Sequence, residues 1–127
     1  MERLKERLGL AEKALRTLQE ILVSPFSEVV RDAAILRFTY TFEAVWKAAQ
    51  LYLAIKENLE VGWPVGVIRG CWKASILNEQ QTEAALRMAK DRNLTVHTYY
   101  EQLAIEVFAR LPGHAELLSA WLWRMQE

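Results

Sequence analysis

The stretch Ile35-Leu36-Arg37-Phe38-Thr39-Tyr40-Thr41-Phe42-Glu43-Ala44-Val45-Trp46-Lys47-Ala48-Ala49-Gln50-Leu51-Tyr52 reads as part of one long helix. Ile35, Phe38, Phe42, Val45, Ala49 and Tyr52 step by three and four, a spacing that draws an apolar stripe along one side of a helix. No Gly or Pro interrupts the chain from Phe26 to Asn58, so the helix is predicted over that whole span and forms the backbone of the fold. Ser24-Pro25 precedes it. Ser suits an N-cap and Pro suits the first helical turn.

The same period appears on either side. Leu4, Leu8, Ala11, Leu15, Leu18 and Leu22 stripe a first helix over Glu2 to Leu22, with Lys5, Glu12, Lys13, Arg16 and Gln19 off the stripe. The stripe resembles a coiled-coil seam but is too short to favour one over bundle packing. Beyond the turn at Val61-Gly62-Trp63-Pro64, a shorter helix is predicted over Val65 to Ser75, with Val67, Ile68, Cys71 and Trp72 facing inward. Gly66 and Gly70 weaken it by roughly 1 kcal/mol each relative to Ala. Asn78 followed by Gln81 is a capping-box pattern that opens a helix to Asn93. Thr98 followed by Glu101 is a second such pattern, opening a helix striped by Tyr100, Leu103, Val107 and Leu111. Leu111-Pro112-Gly113 reads as its stop, and His114 to Gln126 as a last short helix. No segment alternates with period two. The expectation is an all-α, up-and-down helical bundle of five to six helices, four-helix-bundle-like, in one domain spanning 1–127.

Composition narrows the function classes. The 127 residues are 52% hydrophobic and 25% charged, enough apolar surface to offset the entropy of ordering a chain of this size. Sixteen basic residues balance sixteen acidic ones. There is thus no global pull toward nucleic acid or an anionic membrane, and no DNA partner is expected. A neutral chain tends to self-associate. Five Trp and four Tyr are many for this length; they fill a small core or line a subunit interface. Cys71 is the lone cysteine, so no internal disulfide forms and no Cys/His cluster has zinc spacing. The start, Met1-Glu2-Arg3-Leu4-Lys5-Glu6-Arg7, lacks an apolar signal core, and no apolar run is long enough to span a bilayer. A cytoplasmic location is expected, with no cofactor and no metal.

Phosphate-loop, nucleophile-elbow and metalloprotease signatures are absent. Of the two histidines, His114 follows Pro-Gly and reads as a solvated loop residue. His97 stands in Asp91-Arg92-Asn93-Leu94-Thr95-Val96-His97-Thr98-Tyr99, where polar residues crowd a helix junction. In a continuous helix the five-residue spacing of Arg92 and His97 turns them about 140° apart. A kink or junction at Leu94–Val96 brings them together. Arg offers a permanent forked charge suited to phosphate, and His moves protons near neutrality. The pair is a minimal set for cleaving RNA through its own 2′-hydroxyl, without a metal. On spacing alone, the bland reading leads: Arg92 meets the helix dipole, and His97 caps a helix or edges the core.

The wider context changes that balance. Arg92-Asn93-Leu94-Thr95-Val96-His97-Thr98-Tyr99 resembles the R-x4-H-x-Y motif of HEPN-domain proteins. Arg37-Phe38-Thr39-Tyr40-Thr41-Phe42-Glu43-Ala44-Val45-Trp46-Lys47 resembles the second-helix signature of the branch containing nucleotidyltransferase substrate-binding proteins and HepT-like toxins. The resemblance implies a homodimer whose R-x4-H motifs meet across the interface, and a cognate small nucleotidyltransferase as partner. In the toxin version the chain is a ribonuclease acting on RNA, with Arg92 and His97 as the catalytic pair. Asn93 takes the polar position after the Arg, and Arg37 adds positive charge to the substrate site. Tyr99 is then the acceptor of AMP units that silence the enzyme. In the alternative version the chain is a non-catalytic substrate-binding subunit of a two-component nucleotidyltransferase.

Overall fold

The computed structural model describes residues 2–126, and its described residues are all-helical. Helix α1 spans Glu2–Leu22, α2 Glu28–Lys56, α3 Pro64–Lys73, α4 Glu79–Leu94 and α5 Glu101–Gln126; a single 3₁₀ turn, Thr95–His97, joins α4 to α5. Helix α2 is the central element and packs against each of the other four. Helices α1 and α5 close one side of it against each other, and α3 with α4 covers the other.

The leucine stripe of α1 is buried as its spacing predicts, at Leu4, Leu8, Ala11, Leu15 and Leu18. It packs against the stripe of α2, where Ile35, Phe38, Phe42, Val45 and Ala49 are buried. Trp121, Leu118 and Leu111 of α5 complete the core. Large side chains sealed from water dominate such a core, and truncating one of them costs about 3–5 kcal/mol for an aromatic.

The helix ends show where local signals hold and where they yield. The Asn78 box forms in full: Gln81 N–H donates to Asn78 Oδ1 at 2.7 Å, and Asn78 N–H donates to Gln81 Oε1 at 2.9 Å. The start of α2 differs from expectation. Its cap is Ser27, whose Oγ accepts from Val30 N–H, while Ser24 closes α1 by donating its N–H to Ile21 O and its Oγ–H to Glu20 O. Thr98 does not cap α5 either, because its Oγ1–H donates to the Thr95 carbonyl instead.

Pro112-Gly113 does not end a helix. Helix α5 runs through both. A proline within a helix removes one N–H donor and leaves the carbonyl four residues earlier, that of Phe108, without its helical partner. Burial on both sides of the break outweighs that loss, since Leu111, His114, Ala115 and Leu118 are all buried against the other helices. No helix among the described residues is long and apolar enough to cross a membrane.

Candidate functional site

Three groups of side chains lie at the C-terminal end of α4 and just beyond it. Asp91 faces inward and is buried. It accepts two hydrogen bonds from Arg110 of α5, from Nε at 2.7 Å and Nη2 at 2.9 Å, and lies 2.7 Å from His114 Nε2. His114 in turn stacks on Phe38 of α2, ring centroids 5.2 Å apart. Burial pushes the Asp91 carboxyl upward, but the hydrogen bonds and charges of Arg110 and His114 outweigh it and hold the group below the usual carboxylate range. The same contact raises the Arg110 guanidinium above its ordinary value. His114 is therefore a buried residue tying α4, α5 and α2 together, not a solvated loop histidine. The continuation of α5 through Pro112 is what turns it into the core.

Arg92 faces α2. Its Nη2 donates to Glu43 Oε1 at 3.1 Å, the same oxygen that accepts from Trp46 Nε1 at 3.1 Å, and Lys47 Nζ stands 3.7 Å from Glu43 Oε2. The Nε of Arg92 is buried without a hydrogen-bond partner. Arg92 and Asn93 border a small cavity of about 350 Å³ that Glu43, Trp46 and Trp63 also line. Arg92 is thus paired within the chain and shares the Glu43 carboxylate with Lys47. Glu43 lies in the middle of α2, but nothing local in the sequence marks it as the partner of a residue 49 positions away.

The third group faces solvent. His97 is exposed at the end of the 3₁₀ turn, its ring 6.1 Å from that of Tyr99 and edge-on to it. Tyr99 continues to Tyr100, centroids 4.7 Å apart, and both tyrosines are mostly exposed. Tyr100 therefore does not join the core stripe of α5, because the helix begins only at Glu101. The backbone tightens into a 3₁₀ turn at Thr95–His97, and the junction between α4 and α5 continues to Tyr100. No hydrogen bond or ion pair joins Arg92 to His97 among the described residues. Arg37 serves another contact, donating from Nη1 to the Thr17 carbonyl of α1 at 2.8 Å.

A larger concavity lies elsewhere. A cleft of about 920 Å³ opens between the end of α1, the α3–α4 connection and the second half of α5. Its floor includes Ala115, Ser119 and Ala120, and Trp72 and Trp123 line it with half or more of their surface exposed. The α3 pattern predicts Trp72 inward, and the structure corrects this. Val67, Ile68, Gly70 and Cys71 fill the inner face and leave the indole outside. The signal for this cleft is present in α5, where Glu116, Ser119, Ala120 and Trp123 share one helical face and interrupt its apolar character with small and polar residues. Among the described residues no group of three His, Cys, Asp or Glu side chains is arranged to hold a metal ion.

The architecture is that of a small helical bundle with a broad open cleft and a polar junction at the end of α4. The chain belongs to the family described as nucleotidyltransferase substrate binding protein like, whose profile matches residues 6–127. The crystal structure of a protein from Thermus thermophilus superposes on it with a TM-score of 0.89 at 51% sequence identity, covering 92% of this chain and 99% of that one. No curated protein matches the chain.

Proposed function

We propose that the chain is the substrate-binding subunit of a two-component nucleotidyltransferase and supplies no catalytic group of its own. The observation that carries this reading is the α1–α3–α5 cleft, whose volume of about 920 Å³ is in the range of small-molecule sites and whose two half-exposed indoles have no partner in the core. The family to which the chain belongs agrees with it. So does the internal pairing of Arg92 with Glu43, which engages part of the Arg92 guanidinium within the chain. The test is co-expression with a small nucleotidyltransferase from the same genome. The two chains should co-elute, and transfer of the nucleotide should depend on both. Trp72→Ala and Trp123→Ala should raise the KM for the acceptor substrate while the chains still co-elute. Transfer by the partner alone at an unchanged KM would sink this reading.

A second reading has its own observation. His97 is exposed beside Tyr99 and its imidazole has no hydrogen-bond partner among the described residues, so fold stability does not account for it. In this reading the R-x4-H-x-Y segment belongs to a HEPN ribonuclease active as a homodimer. Arg92 and His97 would be its catalytic pair, completed by a second copy. Asn93 and Arg37 would contact RNA, and Tyr99 would accept AMP from the nucleotidyltransferase. Purified protein and His97→Ala are incubated with RNA, and intact masses are measured after co-expression with the partner. Cleavage by the parent and not the variant, with AMP masses lost in Tyr99→Phe, supports the reading. Equal cleavage by parent and variant removes the catalytic role. AMP masses retained in Tyr99→Phe remove the acceptor assignment.

A further inference from the structure

Trp63 is exposed and yet held in place. It is the N-cap residue of α3, with φ −145° and ψ 154°, and Pro64 follows it at the start of the helix. A residue before proline is confined to extended backbone, which fixes the direction in which the indole leaves the chain. Gly66 supplies its seat. A Cβ there would fall 2.8 Å from Trp63 Cε2 and 2.9 Å from Trp63 Nε1, so an edge of the indole lies where any other side chain would begin. Even so, 61% of Trp63 is exposed. One exposed aromatic is ordinary on a protein surface. One seated beside a cavity has already lost the freedom that binding a flat ligand would otherwise cost.

The cavity is the one of about 350 Å³ between α2, α3 and α4. Its lining carries one charge of each sign, Arg92 and Glu43, and these two form an ion pair at 3.1 Å. Charge therefore selects neither an anion nor a cation. Asn93 borders the same space and is exposed, and its side-chain amide makes no hydrogen bond among the described residues. A free amide offers a donor and an acceptor side by side. Indoles and guanidinium planes both stack on flat heteroaromatic rings. A seated indole, an arginine and a free amide around one neutral cavity thus favour a flat, uncharged ring with a hydrogen-bonding edge.

We infer that this cavity binds a nucleobase of the adenine type. The ring stacks on Trp63. Asn93 Nδ2–H donates to a ring nitrogen, and Asn93 Oδ1 accepts from the adjacent amino group, the pairing that an amide side chain makes with adenine. The volume is at the small end of ligand sites and suits one base with its sugar. This cavity is separate from the α1–α3–α5 cleft, so the inference goes beyond the substrate-binding reading.

The test compares adenosine with purine riboside, which lacks the amino group, and ribose 5-phosphate, which lacks the base. Each is titrated into the full chain at neutral pH, with the indole N–H resonances as readout. That of Trp63 is assigned with Trp63→Phe. Adenosine should shift the Trp63 resonance and bind at least about fivefold more tightly than purine riboside, since a bidentate amide contact is worth a factor of that order or more. Ribose 5-phosphate should leave the resonance where it is. Trp63→Ala should weaken both nucleosides about tenfold, the scale of one stacked base. Gly66→Ala should weaken both while the indole is still present, because the new methyl takes its seat. Asn93→Ala should bring adenosine down to purine riboside and leave the latter unchanged. Trp63 and Asn93 are exposed, so their variants keep the fold, which circular dichroism checks. A base comes either from a free nucleoside or from an RNA strand, and hexa-adenylate separates the two: tighter binding per base than adenosine assigns the cavity to a strand, equal binding to a nucleoside. An equal shift with ribose 5-phosphate, or adenosine affinity unchanged in Trp63→Ala, would overturn the base assignment. Equal affinity for adenosine and purine riboside would overturn the role of Asn93. Shifts confined to Trp72 and Trp123 would overturn the site itself. Each of these results leaves the two-component reading to stand or fall on co-elution and KM, which do not depend on these probes.

Discussion

Replacing Asp91 with alanine removes three polar contacts at once: two from Arg110, at 2.7 and 2.9 Å, and one with His114 at 2.7 Å. Their costs differ. The Arg110 side chain is 47% exposed and regains water when its partner goes, so its share is held to about 1 kcal/mol or less. The His114 side chain is only 11% exposed and has no such recourse. Stripping a buried polar group of its partner costs about 1–3 kcal/mol. The expected total is about 1–4 kcal/mol, a fall in Tm on the order of 10 °C for a domain of this size. Urea unfolding followed by circular dichroism measures it directly. In Asp91→Ala/His114→Phe, the new ring keeps the stack on Phe38 and leaves no orphaned nitrogen, so about 1 kcal/mol or more should return. The pH dependence has a definite sign. The Asp91 carboxyl is held below the usual carboxylate range when folded. Its stabilisation is therefore complete above the unfolded value of about 4 and is lost as pH falls through the folded value. The gap between parent and Asp91→Ala should be constant from pH 7 to about 5 and narrow in more acid solution. A gap that persists unchanged in acid, or a double variant no more stable than the single one, would refute the account.

Two glycine substitutions should move stability in opposite directions. A Cβ at Gly113 meets nothing within 4 Å, so Gly113→Ala should stabilise α5 by about 0.5–1 kcal/mol. A Cβ at Gly70 falls 2.8 Å from Leu53 Cδ1 in the sealed core and 3.0 Å from Leu59 Cδ2, so Gly70→Ala should cost about 1–3 kcal/mol; both changes are read from urea midpoints. Pro112→Ala restores a donor to the Phe108 carbonyl within a continuous helix, and should raise stability by about 1–3 kcal/mol with a matching rise in Tm. Cys71 is fully buried, and burial pushes its thiol up to about 11, with the Trp121 indole N–H opposing only in part. A thiol reagent at neutral pH should therefore label native protein no faster than it unfolds, and unfolded protein at once.

Two parts of the candidate site are legible in the sequence alone, and for the same reason. The solvent-facing string His97, Tyr99 and Tyr100 lies within four residues, and the capping box of α4 within four more, so both follow from local backbone geometry. Arg92 is legible as a charged residue of that segment, but its pairing is not, because Glu43 reaches it only through the packing of α2 on α4. The cleft is half legible. The small and polar face of α5 is visible in its spacing, while Trp72 and the end of α1 join it only through the packed bundle.

Periodicity settled the long helices and their buried stripes, because a helix repeats within a few residues and water selects the face. It also limited the chemistry on offer to a few polar residues at one junction. Tertiary packing decided the rest. Burial on both sides carried α5 through Pro112 and turned His114 from an expected loop residue into the buried partner of Asp91. The same packing joined Arg92 to Glu43 and left the indoles of Trp72 and Trp123 exposed at one cleft. Charge pairing and burial act through space between residues tens of positions apart, and a period of three or four carries no record of them.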